Sequence, residues 1–255
     1  MSEPGRDQKA YFPDIREVGP AAPLAWLRAG LGDLRATPGP SLFYGVMIAL
    51  MGAALVEFTG HGAIQIGLLT GFLIVGPFLA IGLYDISRRR QRGETVALGP
   101  TLTAWRPNLG AIGFYAVILA LLLAVWIRVS VVVVALFFTG GVPKLETILA
   151  DIMATQDGWF FAAAYVAAGA GFALLVFATS VVSLPMLMDR EYSDTVSAMI
   201  TSVNAVRRNF MPMLLWGGLI MVLTAVGFAS FFVGLVVVIP VIGHATWHAY
   251  RELVC

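Results

Sequence analysis

The sequence predicts an all-α polytopic membrane protein: six transmembrane helices built as three parallel helical-hairpin repeats, with amphipathic helices on the cytoplasmic surface. Three observations predict it. Of the 255 residues, 59% are hydrophobic and only 12% charged, about half the charge of a soluble domain. The apolar residues gather into six runs, each long enough for a spanning helix of roughly 20 residues. The basic residues alternate between the connections, and that alternation sets a topology.

The chain opens with "MSEPGRDQKAYFPDIREVGP", which is polar, broken by proline and without the apolar core of a cleavable signal. Residues 1–22 are therefore expected to form a flexible cytoplasmic tail, and residues 23–255 a single six-helix domain. The runs are Ser41–Thr59, Gly62–Tyr84, Leu109–Phe138, Gly158–Met188, Phe210–Ala229 and Ser230–Glu252. The third and fourth are long enough to tilt. Almost nothing polar separates the fifth from the sixth, so a tight hairpin is expected around Ala229-Ser230.

Arg6, Lys9, Arg16, Arg28 and Arg35 precede the first run, and Arg88, Arg89, Arg90, Arg92 and Arg106 follow the second. Arg190, Arg207 and Arg208 follow the fourth, and Arg251 closes the sixth. The connection after the first run holds no Lys or Arg, and the one after the third holds Lys144 among Glu146, Asp151 and Asp157. The positive-inside rule then puts both termini in the cytoplasm of a multi-pass protein, most simply in a bacterial inner membrane. A formal net charge of +1 gives no basic field for nucleic acid. Cys255 is the single cysteine, which excludes an intrachain disulfide.

Three stretches align without gaps around an arginine: "LRAGLGDLRATPGPSLFYGVM", "LGPTLTAWRPNLGAIGFYAVI" and "MITSVNAVRRNFMPMLLWGGL", with Arg35, Arg106 and Arg207. Ahead of the arginine run Leu27, Leu31, Leu34; Leu98, Leu102, Trp105; and Met199, Val203, Val206, each spaced as one helical stripe. Tyr44, Tyr115 and Trp216 follow at a constant distance. The expected unit is an interfacial helix with its stripe in the bilayer and its arginine among headgroups, followed by a hairpin. The units span about 23–92, 93–192 and 193–255, and the returning helices carry Pro77, Pro185 and Pro240.

His244 and His248 lie four apart in "GHATWHAYREL", on one helical face, a spacing that can hold haem or a metal. The competing reading puts them in the last turns of the sixth helix beside Trp247 and Tyr250, which anchor at the interface. The histidines then bond to loops, to headgroups or to the cytoplasmic end of the second span. No other histidine lies on that side, since His61 falls in the first external loop, so no cofactor is expected. Glu57 lies about 26 Å and Arg128 about 28 Å from the cytoplasmic entries of their helices, which makes them an intramembrane ion-pair candidate. The cluster Arg88, Arg89, Arg90 and Arg92, with Arg35, Arg106, Arg207 and Arg208, gives the candidate headgroup contacts. No nucleophile–base pair, phosphate loop or His-Glu metal motif stands out.

"GPFLAIGLYDISRRRQRGE", with Gly76, Pro77, Leu79, Ala80, Gly82, Leu83, Tyr84, Ser87 and Arg88, resembles a bacterial family of uncharacterised integral membrane proteins, a domain of unknown function. "WIRVSVVVVALFF" and "GHATWHAYREL" are similar to it too. Some members carry the label of cytochrome c oxidase subunits, so the resemblance implies a respiratory neighbourhood. Three functions compete. One is a non-enzymatic accessory subunit or assembly partner of a membrane complex, such as a respiratory oxidase, whose partners are the bilayer and other membrane subunits. The second is a small-solute transporter built on the repeats. The third is an electron carrier through His244 and His248.

Overall fold

A computed structural model describes residues 13–58, 80–138, 152 and 156–255. Among them the helices are α1 (Ala22–Ala36), α2 (Pro38–Phe58), α3 (Ile81–Gln91), α4 (Leu98–Thr101), α5 (Leu109–Phe137), α6 (Gln156–Ser180), α7 (Ser183–Asp189), α8 (Thr195–Arg208), α9 (Phe210–Ala229) and α10 (Leu235–Leu253), with a 3₁₀ turn at Arg106–Asn108. Among the described residues, four stretches are long and apolar enough to cross a membrane: Pro38–Leu55, Leu98–Phe137, Gln156–Asp189 and Phe210–Ala229. They fall on the first, third, fourth and fifth expected runs. The second run up to residue 79 lies outside the described residues, as do residues 1–12, His61, Gly76, Pro77, Lys144, Glu146 and Asp151. The sixth run forms α10, but it is not among the four, because His244, His248, Arg251 and Glu252 make its second half polar.

Proline sets two of the breaks. The fourth run splits into α6 and α7 at Val181-Val182, where Pro185 offers no N–H and its ring clashes with the carbonyl four residues back. Ser202 Oγ accepts from the Val182 N–H freed there (3.2 Å). The expected interfacial helix of the second repeat fails to form. Pro100 and Pro107 leave only α4, turns and the 3₁₀ segment, while the first and third counterparts are the full helices α1 and α8. The three units thus do not share one local structure, although Arg35, Arg106 and Arg207 are all exposed.

Two compact units result, one of Met1–Leu50, Pro77–Ala116 and Phe177–Cys255, the other of Met51–Gly76 and Val117–Val176. In the first, α1 lies against α10 at Gly30, where a Cβ would come 2.6 Å from the Val241 carbonyl oxygen. The face of α1 turned to the protein is Trp26, Gly30, Asp33 and Leu34; of the stripe expected to meet the bilayer, Leu27 and Leu31 stay partly exposed and Leu34 is buried. Trp26 meets Trp216 edge to face at 5.9 Å. The α8 helix turns Ser197, Ala198, Thr201, Ser202 and Ala205 inward and leaves Val196 and Ile200 exposed, the reverse of a water-soluble amphipathic helix. The expected hairpin is present at residues 230–234, where Phe231 and Phe232 take positive φ (52° and 68°). Ser230 Oγ accepts from Gly234 N–H at 2.8 Å and donates to the Gly227 carbonyl at 2.8 Å.

The described end of the expected tail is tied down. Ile15 pairs with Val254, Arg16 N–H donates to Leu253 O at 2.8 Å and Cys255 N–H to Asp14 O at 3.1 Å. Asn209 accepts from Val18 N–H (2.8 Å) and donates to Arg16 O (3.0 Å). In the second unit an aromatic cluster forms around Trp126, which meets Tyr165 at 5.6 Å and Phe172 at 5.4 Å. Phe161 packs on Phe137 and Phe138.

Candidate functional site

The first unit gathers polar side chains from α1, α2, α3 and α10 around Asp33, which is 5% exposed. Oδ2 of Asp33 accepts from Ser87 Oγ at 2.5 Å and from His248 Nε2 at 2.9 Å, and Oδ1 takes Arg90. Burial pushes the Asp33 carboxyl up, but the hydrogen bonds that it accepts from His248 and Ser87 outweigh it. Its pKa falls below the usual carboxylate value.

Proton counting fixes both histidines. Ser87 has one hydroxyl proton and spends it on Asp33, so Ser87 Oγ accepts from His244 Nδ1 at 2.8 Å. His244 Nε2 then accepts from Ser41 Oγ at 2.9 Å. His248 donates through Nε2, which leaves Nδ1 to accept from Gln91 Nε2 at 3.2 Å. All four ring nitrogens are therefore engaged inside the protein. Among the described residues no group of three or more His, Cys, Asp or Glu is placed to hold a metal ion.

Trp247 and Tyr250 differ from the expected headgroup anchors. Both are 1% exposed, Trp247 Nε1 donating to Gln91 Oε1 (2.9 Å) and Tyr250 OH to Asp189 Oδ2 (3.0 Å). The expected contact of the histidines with the end of the second run is present, at Ser87 and Gln91. Ser41 and Asp33 escaped sequence reading, as did the Ser41–His244 pair. Each is an isolated polar residue far along the chain from its partners.

The expected arginine contacts divide. Arg88 and Arg89 pair with buried Asp85 at 2.5 and 2.8 Å, Arg88 also donates to Met188 O, and Arg90 pairs with Asp33. These three are turned to internal carboxylates rather than to headgroups, because Asp85 and Asp33 are buried within their reach. Arg92 bonds Asp189 at 3.2 Å, while Arg35, Arg106, Arg207 and Arg208 are exposed. Of the family motif, Gly82 faces the Tyr44 ring so closely that a Cβ would strike it, and Tyr84 is buried at 2% exposure. The structure does not bring Glu57 and Arg128 together: both are exposed, and neither has an ion pair among the described residues.

Residues 64–189 match the model of a family described as "Predicted integral membrane protein (DUF2189)". No curated protein and no solved structure matches the chain.

Proposed function

On the premise that residues 64–189 belong to this family of integral membrane proteins, we propose that the chain is a non-enzymatic accessory subunit or assembly partner of a larger complex, such as a respiratory oxidase, in a bacterial inner membrane. It crosses six times with both termini cytoplasmic, and α8 lies in the interface. One observation carries the reading. Arg128 is exposed on α5 among Val125, Val131 and Val132, themselves 51%, 41% and 56% exposed. About 28 Å from the cytoplasmic entry of its helix, near the outer edge of a hydrocarbon core about 30 Å thick, its guanidinium needs headgroups to snorkel to or a carbonyl or carboxylate on a neighbouring subunit. Burial points the same way: 22% of the apolar window of α5 and 11% of that of α6 are buried within the chain itself, leaving wide helical faces for lipid and partners. The engaged histidines supply no nitrogen for an electron-carrying haem.

Extraction in mild detergent followed by mass spectrometry of co-purifying proteins tests the proposal. Subunits of one membrane complex should co-purify in fixed ratio, and Arg128→Ala should reduce their yield. A clean monomer from both proteins would refute it and favour a transporter acting alone.

A further inference from the structure

A cleft of about 220 Å³ opens where the C-terminal end of α3, the end of α7 and the last turns of α10 meet, lined by Arg88, Gln91, Arg92, Asp189, Trp247 and Arg251. We propose that it binds a phosphate group, presented either by an anionic phospholipid headgroup or by inorganic phosphate. Its volume is below the roughly 300–1,000 Å³ of sites for drug-sized molecules, so the occupant is an ion or a headgroup.

The charges lining the cleft are unbalanced in favour of an anion. Asp85 is shared by Arg88 and Arg89, with Glu94 reaching Arg89 at 3.4 Å, and Asp189 is shared by Arg92 and Arg251. Arg92 and Arg251 each give Asp189 one nitrogen, at 3.2 and 3.1 Å, long for a charge-assisted bond of about 2.7–2.9 Å. Their side chains stay 53% and 49% exposed, and their remaining N–H groups take no other hydrogen bond among the described residues.

Two helix ends place the guanidinium groups. Arg92, at the C-cap of α3, stands four residues after Arg88, as Arg251 does after Trp247 along α10, so each pair lies toward one helical face. Gln91 is clamped between Trp247 Nε1 and His248 Nδ1. Planar guanidinium forks on two helices suit a tetrahedral oxyanion, which accepts several N–H bonds at once.

Native mass spectrometry of the full chain in detergent tests this, with dioleoyl phosphatidylglycerol, dioleoyl phosphatidylcholine and inorganic phosphate as probes. The protein should retain phosphatidylglycerol or phosphate in preference to phosphatidylcholine. Loss of bound phosphatidylglycerol to added phosphate identifies the free ion as the occupant, and its persistence identifies the lipid. Arg92→Gln and Arg251→Gln should each weaken binding about tenfold, as expected for a charge-assisted hydrogen bond. Asp189→Asn, which removes the competing carboxylate, should tighten it, a gain that a misfolded variant cannot imitate. Equal retention of the two lipids with no phosphate bound would overturn the proposal. So would an unchanged arginine variant, or an Asp189→Asn protein that binds no better.

Discussion

Replacing His244 by alanine removes the ring that joins α2, α3 and α10. His244 is 0% exposed and makes hydrogen bonds of 2.9 Å to Ser41 and 2.8 Å to Ser87, worth about 1 kcal/mol each. The imidazole-sized void adds about 2–3 kcal/mol where neighbours cannot collapse into it. Ser41 recovers part of the loss, since Thr37 Oγ1 is 3.2 Å away. The net cost is about 3–4 kcal/mol, or about 6–16 °C in a chain of this size. His248→Ala removes a ring 19% exposed and leaves Asp33 bonded to Ser87 and Arg90, so it should cost about 1–2 kcal/mol. Heating the detergent-solubilised variants and following the monomer peak by size exclusion measures both. If His248→Ala costs as much as His244→Ala, or if His244→Ala is neutral, the proton counting is wrong. A Soret band abolished by the double replacement would show that the histidines hold haem.

Other consequences can be measured on the same preparation. Gly30→Ala should destabilise by about 1–2 kcal/mol, because the Cβ meets backbone atoms of α10 at 2.6 and 2.7 Å and overpacking outweighs the gain in helix propensity. Gly32→Ala on the same helix meets nothing within 4 Å and should stabilise, so melting curves shifting the same way would contradict the packing. The lowered Asp33 pKa contributes stability above the unfolded carboxyl's 3.8 that is lost as pH falls through the folded value. Acid titration of Asp33→Asn should therefore show a shallower fall in stability below about pH 4 than wild type. Reporter fusions after Arg92 and after Asp157 should report opposite compartments, and one shared compartment would sink the six-span reading.

The spanning helices could be read from sequence because lipid demands long apolar runs, and hydropathy records that demand directly. α10 was harder: its first half obeys the same rule, while its second half carries His244, His248 and Arg251, which are satisfied by α1, α2, α3 and α7. The middle interfacial helix had the right stripe, Leu98, Leu102 and Trp105, but periodicity does not weigh Pro100 and Pro107. The packing face of α1, distinct from its expected bilayer stripe, carried a signal of its own. Trp26, Gly30 and Asp33 share a face, and a glycine between an indole and a carboxylate marks a close helix contact. Asp33, Ser41, Ser87 and His244 come from four separate helices, and nothing in their local spacing joins them. The pairing of histidine with serine is a property of the tertiary fold alone.

The stitching of Asp14–Val18 to Asn209 and to Leu253–Cys255 has a consequence for the order of events during synthesis. Asp14–Val18 leaves the ribosome before the described helices, yet Asn209 follows it by about 190 residues and Leu253–Cys255 by more. Closure is therefore a late, long-range step of the kind that slows folding, and the earlier segment waits meanwhile with unpaired backbone groups open to proteases and chaperones. Damage to Leu253 or Val254 would then be felt at Asp14–Val18, as prolonged exposure of a segment made well before them.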